Sequence, residues 1–436
     1  MTARVTLSLC KVTVGQNGIT TSIHTMKTIR ATFEVVTPMF LGAADQSPEG
    51  IRPSSVKGAL RFWWRAWAWS GIAATCADDN AALQALHREE THLFGSAVQD
   101  KTGGQGLFML HVRDCTRQAT DRPFGSEFDS GILYLLGQGL GSFKGGNHCI
   151  RQAIPAGHGA NTADFDVKLI FSRRATTHDQ ESILTALKLF GLLGALGSRA
   201  RHGLGSVRLK SIETLGTTTW EAPLIAEEYT KQLCALMPPS LAERAPPLSA
   251  LSKLTRIDLS LEHANPSTLL NRVGQEQQAY RSYGQSGKVN GKPSERNFVG
   301  DHDLALQVSQ GERVRKAPDR IVFGLPHNYF FSSTKGKADV NYAPKSGEGR
   351  RASPLLFHVH KVGERYIGVH ALLTAQFLPP PDHEQPAMIE LKKSKNDGNG
   401  SSVSLPERDV KWTVLHDYLD RFHKEPFAGK TIYGKQ

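Results

Sequence analysis

The sequence predicts an α+β fold, because strand-like and helix-like segments follow one another as strand, helix, strands, strand, helix, strand. Thr28 to Val36 alternates between apolar and polar residues, which is typical of a strand with one buried face. Gln180 to Leu196 is strongly apolar over the length of a helix. This order favours the split β-α-β arrangement, called ferredoxin-like, with insertions, over a doubly wound parallel sheet.

The first half is expected to contain eight segments with distinct patterns. In chain order these are a strand at Thr28–Val36, a helix beginning near Pro53, a helix at Ala81–Phe94, strands at Leu107–Val112 and Gly131–Leu136, a strand at Phe165–Ser172, a helix at Gln180–Leu196, and a glycine-rich loop at Gly197–Leu209 that runs into a strand. The proline-rich stretch Pro238–Leu248 marks the predicted boundary between two domains, residues 26–237 and 238–436. Residues 1–25 are predicted to be a flexible extension.

The second half repeats this alternation. The expected elements are a strand at Leu254–Leu261, a helix at Ser267–Gln278, a strand at Ile321–Phe331, a hairpin of Ser353–Val362 with Tyr366–Phe377, and a closing helix at Val410–His423. Three polar, glycine-containing segments are expected to be loops, namely Arg281–Arg296, Lys335–Arg351 and Lys392–Ser404.

The composition favours an anionic partner. The 436 residues carry a formal net charge of +11, and a basic protein attracts polyanions such as nucleic acid. The five cysteines form no C-x-x-C pair, so they indicate neither a zinc site nor a disulfide framework, and a reducing cytoplasm fits them best. No apolar run approaches the roughly 20 residues of a membrane span.

The stretch from Arg52 to Trp69, which we call the tryptophan helix, combines cations with aromatic residues. Lys57, Arg61 and Arg65 recur every four residues and stack along one side of a helix. The apolar stripe is formed by Leu60, Trp63, Trp64 and Trp67. Pro53 with the serines after it predicts a helix start capped by a hydroxyl. The pattern fits an anion-binding face, and it also fits a core helix whose cations point into water.

Three further segments carry candidate cations. The loop from Gly197 to Leu209 holds Arg199, Arg201, His202 and Arg208 without an acidic residue, and its glycines would let a phosphate backbone approach. The loop from Gly137 to Gly146 holds Lys144 but lacks the dinucleotide-binding spacing of glycines. Arg350 and Arg351 precede a strand. Each segment can also be a solvated surface loop with scattered cations.

The sequence contains little that predicts catalysis or a metal. Asp301-His302-Asp303 is a tight acid–histidine cluster, and a capping or structural role explains it better than a metal. We therefore expect no metal, no cofactor and no small-molecule substrate. Metal-independent RNA cleavage by His202 or His148 is the alternative that the basic, glycine-rich loops leave open.

Three segments together resemble a known family. TPMFLGAADQSPEGIRPSSVKGALRFWWRAW resembles the N-terminal signature of the first Cmr subunit of type III-B CRISPR effector complexes, which belongs to the RAMP (repeat-associated mysterious protein) superfamily. GSRARHGLGSVRL resembles the glycine-rich loop of that superfamily, and RRASPLLFHVH resembles a segment in the second half of the first Cmr subunit. The chain lacks the Gly-Gly-Asp-Asp signature of the polymerase-like subunit of such complexes.

The resemblance implies two ferredoxin-like, RRM-related domains and a non-catalytic, cytoplasmic subunit that binds guide RNA and target RNA near the 3′ end of the guide. It also implies other RAMP subunits as partners and no contact with a membrane. A sheet of this kind can stack bases on its aromatic residues. The alternative is a metal-independent endoribonuclease that processes guide RNA. The residues expected to contact RNA are Arg52, Lys57, Arg61, Trp64, Arg65, Lys144, Arg199, Arg201, His202, Arg208, Arg350 and Arg351.

Overall fold

The structure is a computed structural model of the chain. It describes residues 14–15, 18–19, 28–43, 47–96, 104–114, 119–124, 129–144, 147–157, 163–283, 287–331, 333–343, 349–378, 387–393 and 400–434. Helices and sheets are mixed throughout these residues, which confirms the α+β prediction. No helix in these ranges is both long enough and apolar enough to cross a bilayer.

The described residues form eight α-helices and three short 3-10 helices. The α-helices are α1 Pro53–Ala73, α2 Asp79–Phe94, α3 Ser130–Leu140, α4 Thr177–Leu193, α5 Ala226–Ala235, α6 Pro266–Arg281, α7 Val299–Gln310 and α8 Thr413–Asp420. The 3-10 helices are Asp319–Phe323, Glu407–Asp409 and Arg421–His423.

The strands are more numerous, and several are only two residues long. In chain order they are β1 Val14–Gly15, β2 Gly18–Ile19, β3 Thr28–Val35, β4 Phe108–Asp114, β5 Gly141–Lys144, β6 Asn147–Ile150, β7 Asp164–Phe171, β8 Val207–Thr214, β9 Thr217–Glu221, β10 Thr255–His263, β11 Lys288–Val289, β12 Lys292–Pro293, β13 His327–Phe330, β14 Lys337–Ala343, β15 Leu355–Val362, β16 Arg365–Leu373, β17 Met388–Lys392, β18 Ser401–Ser404 and β19 Lys430–Tyr433.

The first large sheet has the order β4-β7-β3-β8-β9, and each neighbouring pair is antiparallel. Its inner face is apolar and packs on helices. The ring of Phe33 lies 5.2 Å from the ring of Phe165 in the sheet and 5.2 Å from the ring of Phe190 on α4. Burying these rings orders the sheet against the helix, since apolar burial is the main favourable term in folding.

The second large sheet has the order β15-β16-β10-β19, again with antiparallel neighbours. Every residue of β15 is buried, so both faces of this strand are covered. A third sheet, β13-β14-β17-β18, is formed by segments inserted on either side of the β15–β16 hairpin.

The two halves of the chain pack together rather than standing apart. One buried cluster joins Trp64 and Phe190 of the first half to Leu259 and Val369 of the second. A second cluster joins Leu204 to residues of the second sheet. The proline-rich segment also packs on α1, because the Ala242 amide donates to Ser70 Oγ at 3.1 Å.

Several predicted elements differ in the structure. The segment Gly131–Leu136, expected as a strand, lies in helix α3 because its apolar residues are buried against α6. A Cβ on Gly131 would lie 2.0 Å from the carbonyl oxygen of Asn271, so only glycine allows this close helix crossing. A short apolar run fits a strand or a buried helix equally well, and here tertiary packing selects the helix.

Other differences arise where segments are interrupted or paired. The expected strand Ile321–Phe331 is a 3-10 helix followed by β13, with Gly324 at φ 120° between them. The expected loop Lys335–Arg351 contains β14, and the expected connector Lys392–Ser404 contains β18, because both strands pair within the third sheet. The closing helix is shorter than expected and ends in a 3-10 turn. Apart from β1 and β2, the predicted N-terminal extension lies outside the described residues up to residue 27.

Candidate nucleic-acid interface

The tryptophan helix is α1, and its N-terminal end is electropositive. Pro53 is the first helical residue and Arg52 is the N-cap, with no acidic residue in the first turn and no side-chain cap. The predicted serine cap is therefore wrong, because the cap position falls one residue before Pro53. Arg52 instead donates to the Gly42 carbonyl at 3.0 Å and pairs with Glu49 at 3.3 Å. Uncapped N–H groups at this end favour a negative ligand.

The tryptophans of α1 point inward. Trp63, Trp64 and Trp69 are each at most 2% exposed, and the ring of Trp64 lies 6.0 Å from the ring of Phe94. Trp64 was expected to contact RNA, and the structure contradicts this, because its ring has no accessible face for a base. The tryptophans anchor the helix and fix the direction of its cations.

The cations of α1 lie on the side that faces α2. Glu90, only 6% exposed, accepts a hydrogen bond from Arg61 Nε at 2.6 Å and lies 3.6 Å from Arg65 Nη1. Lys57 has no ion-pair partner among the described residues. Burial, together with the nearby Arg61, lowers the pKa of Lys57. Glu90 thus pairs with two of the three cations, and the unpaired charge of Lys57 would be stabilised by an anionic ligand.

A groove of about 750 Å³ opens beside this row of cations. Ser54, Lys57 and Arg61 of α1 form one wall, and His87 and His111 contribute to the others. Among the residues that the structure describes, no Asp or Glu lines the groove. We call it the helix groove, and its volume falls in the range of about 300–1,000 Å³ that is typical of ligand sites.

The glycine-rich loop joins the two halves of the protein. His202 pairs in parallel with Phe357 of β15, and the Phe357 amide donates to the Arg201 carbonyl at 3.0 Å. Gly203 has φ 79°, and a Cβ there would lie 2.6 Å from the Phe357 ring. The prediction that the glycines let a ligand approach is therefore wrong for Gly203, since a side chain of the second half fills that space.

The side chains of Arg199 and Arg201, both in this loop, lie in different environments. Arg199 is exposed at φ 60°, and its Nε donates to the Leu136 carbonyl at 3.0 Å. Arg201 is partly buried, donates to the Ser353 carbonyl and lies 5.5 Å from the centroid of the Phe62 ring. Burial, and then the charge of Arg351, lowers the pKa of Arg201 to about 10, so it stays protonated at neutral pH.

His202 is neutral in the folded protein. Burial, and then the charges of Arg199, Arg281 and Arg201, lower its pKa to about 4, while a hydrogen bond to Gln277 opposes them. Three guanidinium groups thus act on one imidazole. Such a concentration of positive charge favours a phosphate next to it.

Arg208 is not part of the accessible surface. It is 8% exposed and pairs with Glu34 at 3.4 Å, while Lys361 approaches the other oxygen of the same carboxylate at 3.5 Å. The expectation that Arg208 contacts RNA is contradicted, because this buried charge group ties β3 and β8 to β15. A paired, desolvated charge cannot also bind a phosphate without breaking that link.

The remaining predicted cations, Arg350, Arg351 and Lys144, differ in exposure and contacts. Arg350 is exposed and has no ion-pair partner in the described part of the chain. Arg351 is half-buried, and its Nη2 donates to the Gln376 carbonyl at 2.9 Å, while burial lowers its pKa. Lys144 ends β5, but its side chain lies outside what the structure describes, as does that of His148.

Arg281 was missed by the sequence reasoning. It is the last residue of α6, and its guanidinium lies 4.6 Å from the centroid of the Phe323 ring. No acidic side chain pairs with it among the described residues, and it acts on His202 together with Arg199 and Arg201. Its position at the start of a predicted loop was the available signal, but nothing in the sequence placed it beside the glycine-rich loop.

The outer face of the first sheet does not offer aromatic rings. Phe33 and Phe165 are fully buried on the inner face. The outer face carries paired charges, with Arg30 at 2.7 Å from Asp166 and Lys210 at 2.8 Å from Asp164. The expectation that this sheet stacks bases is therefore contradicted for the described residues of the first half.

Asp301-His302-Asp303 has a structural role. The Asp301 carboxylate accepts hydrogen bonds from the amides of Asp319 at 2.7 Å and Arg320 at 2.9 Å. His302 lies 3.1 Å from its neighbour Asp303. Within the described ranges, no three His, Cys, Asp or Glu side chains are arranged to hold a metal ion.

Comparisons with known proteins find a family model that is similar to part of the chain. A model of the RAMP superfamily matches residues 32–208, a range that contains both the tryptophan helix and the glycine-rich loop. No sequence among curated proteins matches the chain.

Solved structures with a similar course of the chain have low sequence identity. Cmr1 from Pyrococcus furiosus is 17% identical, with a TM-score of 0.48, and the match covers 93% of this chain and 99% of that one. A chain of the type III-B Cmr-beta complex bound to cognate target RNA is 11% identical, with a TM-score of 0.46, over 91% of this chain and 99% of that one. Over residues 32–208, the chain is therefore similar to the RAMP superfamily.

Proposed function

We propose that this protein is a non-catalytic RNA-binding subunit of a cytoplasmic type III-B CRISPR effector complex. It contacts guide RNA and target RNA near the 3′ end of the guide and packs against other RAMP subunits. The observation that carries the proposal is the contact between the tryptophan helix and the glycine-rich loop at Arg201 and Phe62. This contact brings two cationic segments into one surface that a phosphate backbone can follow.

The residues proposed for RNA binding are fewer than the sequence suggested. Accessible cations belong to the set, and buried side chains do not. The set consists of Arg52, Lys57, Arg61, Arg65, Arg199, Arg201, Arg281, Arg350 and Arg351. Because the outer face of the first sheet has paired charges, we propose that phosphates, rather than stacked bases, dominate binding at this surface.

We also infer that both halves are ferredoxin-like domains with insertions. In the first half, β3, α1, β4, β7, α4 and β8 follow the βαββαβ order, and in the second half β10, α6, β15, β16, α8 and β19 do the same. In each sheet the first and third strands of this order are central neighbours. This shared connectivity supports the inference.

Crosslinking tests the proposed surface. RNA containing 4-thiouridine is irradiated with the full-length protein, and crosslinked peptides are mapped by mass spectrometry. We expect crosslinks in peptides that contain residues 57–65 and 197–208. The exposed basic run of Arg313, Arg315 and Lys316 serves as the control for nonspecific attraction. Crosslinks confined to that run would contradict the proposal.

The absence of catalysis is tested separately. Because its pKa is lowered to about 4, the His202 imidazole is uncharged at neutral pH and lacks the imidazolium proton that a general acid would donate. Purified protein is incubated with repeat RNA in a chelator. Intact RNA is the expected result, whereas specific cleavage that is lost in His202→Ala would establish the endoribonuclease alternative.

A further inference from the structure

A second cavity lies beside the N-terminal end of β10. It measures about 650 Å³ and is enclosed by the start of β10, the residue after β16 and the face of α8. None of the residues that line it lines the helix groove. We call it the α8 pocket.

The walls of the α8 pocket suit a flat apolar group. Trp412, the N-cap of α8, is held in place because its Nε1 donates to Glu407 at 3.0 Å and its ring meets the Phe377 ring edge-on at 6.0 Å. Leu254 is 39% exposed, which is unusual for a leucine that lines a concave site. A fixed indole beside an exposed aliphatic side chain is a surface on which an aromatic ring can pack.

One polar atom in this pocket has no partner. Thr374 is 5% exposed, and its Oγ1 makes no hydrogen bond. A buried hydroxyl without a partner destabilises a protein, and replacing it by a methyl group of the same shape would remove the penalty. Its presence in the wall of a cavity is explained if a ligand supplies the missing hydrogen bond.

Two further groups present a donor and an acceptor. Arg256 Nη2 donates to Asp420 Oδ1 at 2.6 Å, which leaves Oδ2 of this half-exposed carboxylate without a partner among the described residues. Arg256 Nη1 lies 3.4 Å from His416 Nδ1, and since a guanidinium only donates, the ring proton of His416 is on Nε2. Burial, and then the charge of Arg256, lowers the pKa of His416, so the ring is neutral at pH 7.

Cations stand at the rim of the same pocket. Arg408 is exposed and unpaired in the described part of the chain, and Lys253 is half-exposed with Glu243 as its partner. An aromatic wall, hydrogen-bonding groups inside and cations outside are the parts of a site for a ring that carries a phosphate.

We propose that the α8 pocket binds the base of a nucleotide, and that guanine is the base it accepts best. The guanine edge offers neighbouring N–H donors beside one carbonyl acceptor. The Asp420 carboxylate accepts from the N–H groups, His416 Nε2 donates to the carbonyl, and Thr374 Oγ1 completes the set. Trp412 stacks on the ring, and Arg408 lies on the side of the phosphate. This site is separate from the phosphate-binding surface proposed above.

Binding of GMP to the full-length protein, measured by isothermal titration calorimetry, tests the proposal. We expect GMP to bind at least tenfold more tightly than AMP, CMP and UMP. Thr374→Val is expected to weaken GMP binding about fivefold while the melting temperature stays the same or rises, because the hydroxyl serves the ligand and not the fold. Asp420→Asn is expected to weaken binding further, and Asp417→Asn, on the same helix but outside the pocket, is the matched control.

The source of the nucleotide is distinguished with oligonucleotides. An RNA oligonucleotide with a single guanosine that binds more tightly than GMP, and loses that advantage in Thr374→Val, identifies RNA as the ligand. Equal affinities for GMP and the oligonucleotide identify a free nucleotide. No binding of either, equal binding of all four bases, or unchanged binding in Thr374→Val would overturn the proposal. Failure of guanine binding in the α8 pocket would not change the salt dependence of RNA binding at Lys57. The guanine-site proposal and the RNA-binding proposal can therefore fail separately.

Discussion

The guanidinium carbon of Arg201 lies 5.5 Å from the ring centroid of Phe62, so the glycine-rich loop touches the tryptophan helix. Arg201 also donates to the Ser353 carbonyl in the segment that leads into β15. One side chain therefore contacts the helix and the second half of the chain. These contacts hold the helix, the glycine-rich loop and the segment before β15 together.

Removing the Glu90 charge should strengthen RNA binding. Glu90 is the carboxylate shared by Arg61 and Arg65, so Glu90→Gln leaves both arginines without a counter-charge. We expect affinity for RNA at low salt to rise severalfold and stability to fall by about 1 kcal/mol, because a largely buried carboxylate is lost from the pair. Filter binding and urea denaturation measure the two effects. Glu89→Gln, exposed on the same helix, is the control and should change neither.

Two glycines with almost the same backbone conformation should respond differently to substitution. Gly203 has φ 79° and a Cβ there would lie 2.6 Å from Phe357, whereas Gly216 has φ 80° with no atom within 4 Å. We expect Gly216→Ala to cost about 1 kcal/mol for the backbone alone, and Gly203→Ala to cost about 3 kcal/mol or more. Urea denaturation gives both values. Equal losses would show that the loop does not pack as described.

His370 should make the protein sensitive to acid. It is completely buried between the rings of Phe357 and Phe422, at 4.7 and 4.2 Å, and neither ring nitrogen has a hydrogen-bond partner. Burial lowers its pKa to about 3, with Asp258 opposing and Arg256 adding to the shift, against an ordinary value of 6.5. Between these pH values the unfolded chain binds a proton that the folded chain does not. Stability is therefore lost as the pH falls from about 6.5 towards 3, by up to about 1.4 kcal/mol per pH unit.

His370→Phe tests this acid sensitivity. The variant keeps an aromatic ring and removes both unpartnered nitrogens, so we expect equal or greater stability at pH 7 and a shallower loss of stability below pH 6. Denaturation curves at a series of pH values measure the change. A parallel decline in wild type and variant would contradict the role of His370.

The buried carboxylate of Glu34 should be critical for the contact between the halves. Glu34→Gln leaves Arg208 and Lys361 buried without a counter-charge, and we expect a loss of about 3 kcal/mol. Asp164→Asn removes a carboxylate from a more exposed pair with Lys210 on the same sheet and should cost less than about 1 kcal/mol. Similar losses in both variants, measured in urea, would show that burial does not set the difference.

The fold was predictable where a single pattern dominated. The tryptophan helix follows from its apolar spacing, and β3, β4 and β7 follow from alternation and short apolar runs bounded by turn residues. Gly131–Leu136 was predicted to be a strand, but it is helical because it packs closely on α6 at Asn271. No local sequence pattern reveals that contact. The α8 pocket was not foreseen because Thr374, Trp412 and Asp420 have no shared motif.

The sequence predicted which segments carry the candidate site better than it predicted which individual side chains are accessible there. Lys57, Arg61 and Arg65 do share a face, as their spacing indicates. Residue type alone did not separate accessible arginines from Arg208, whose burial depends on β15 of the other half. Arg281 joins the site only through the packing of α6, so it was missed.

The salt dependence of RNA binding tests the central claim most directly. Lys57→Gln and Arg350→Gln each remove a cation that has no ion-pair partner in the described part of the chain, so the fold should be unaffected. We predict that each variant binds RNA more weakly and lowers the slope of log K against log salt by about 0.7 to 0.9, while Arg313→Gln has little effect. Unchanged affinity and slope in both variants would contradict the assignment of this surface as the RNA-binding site.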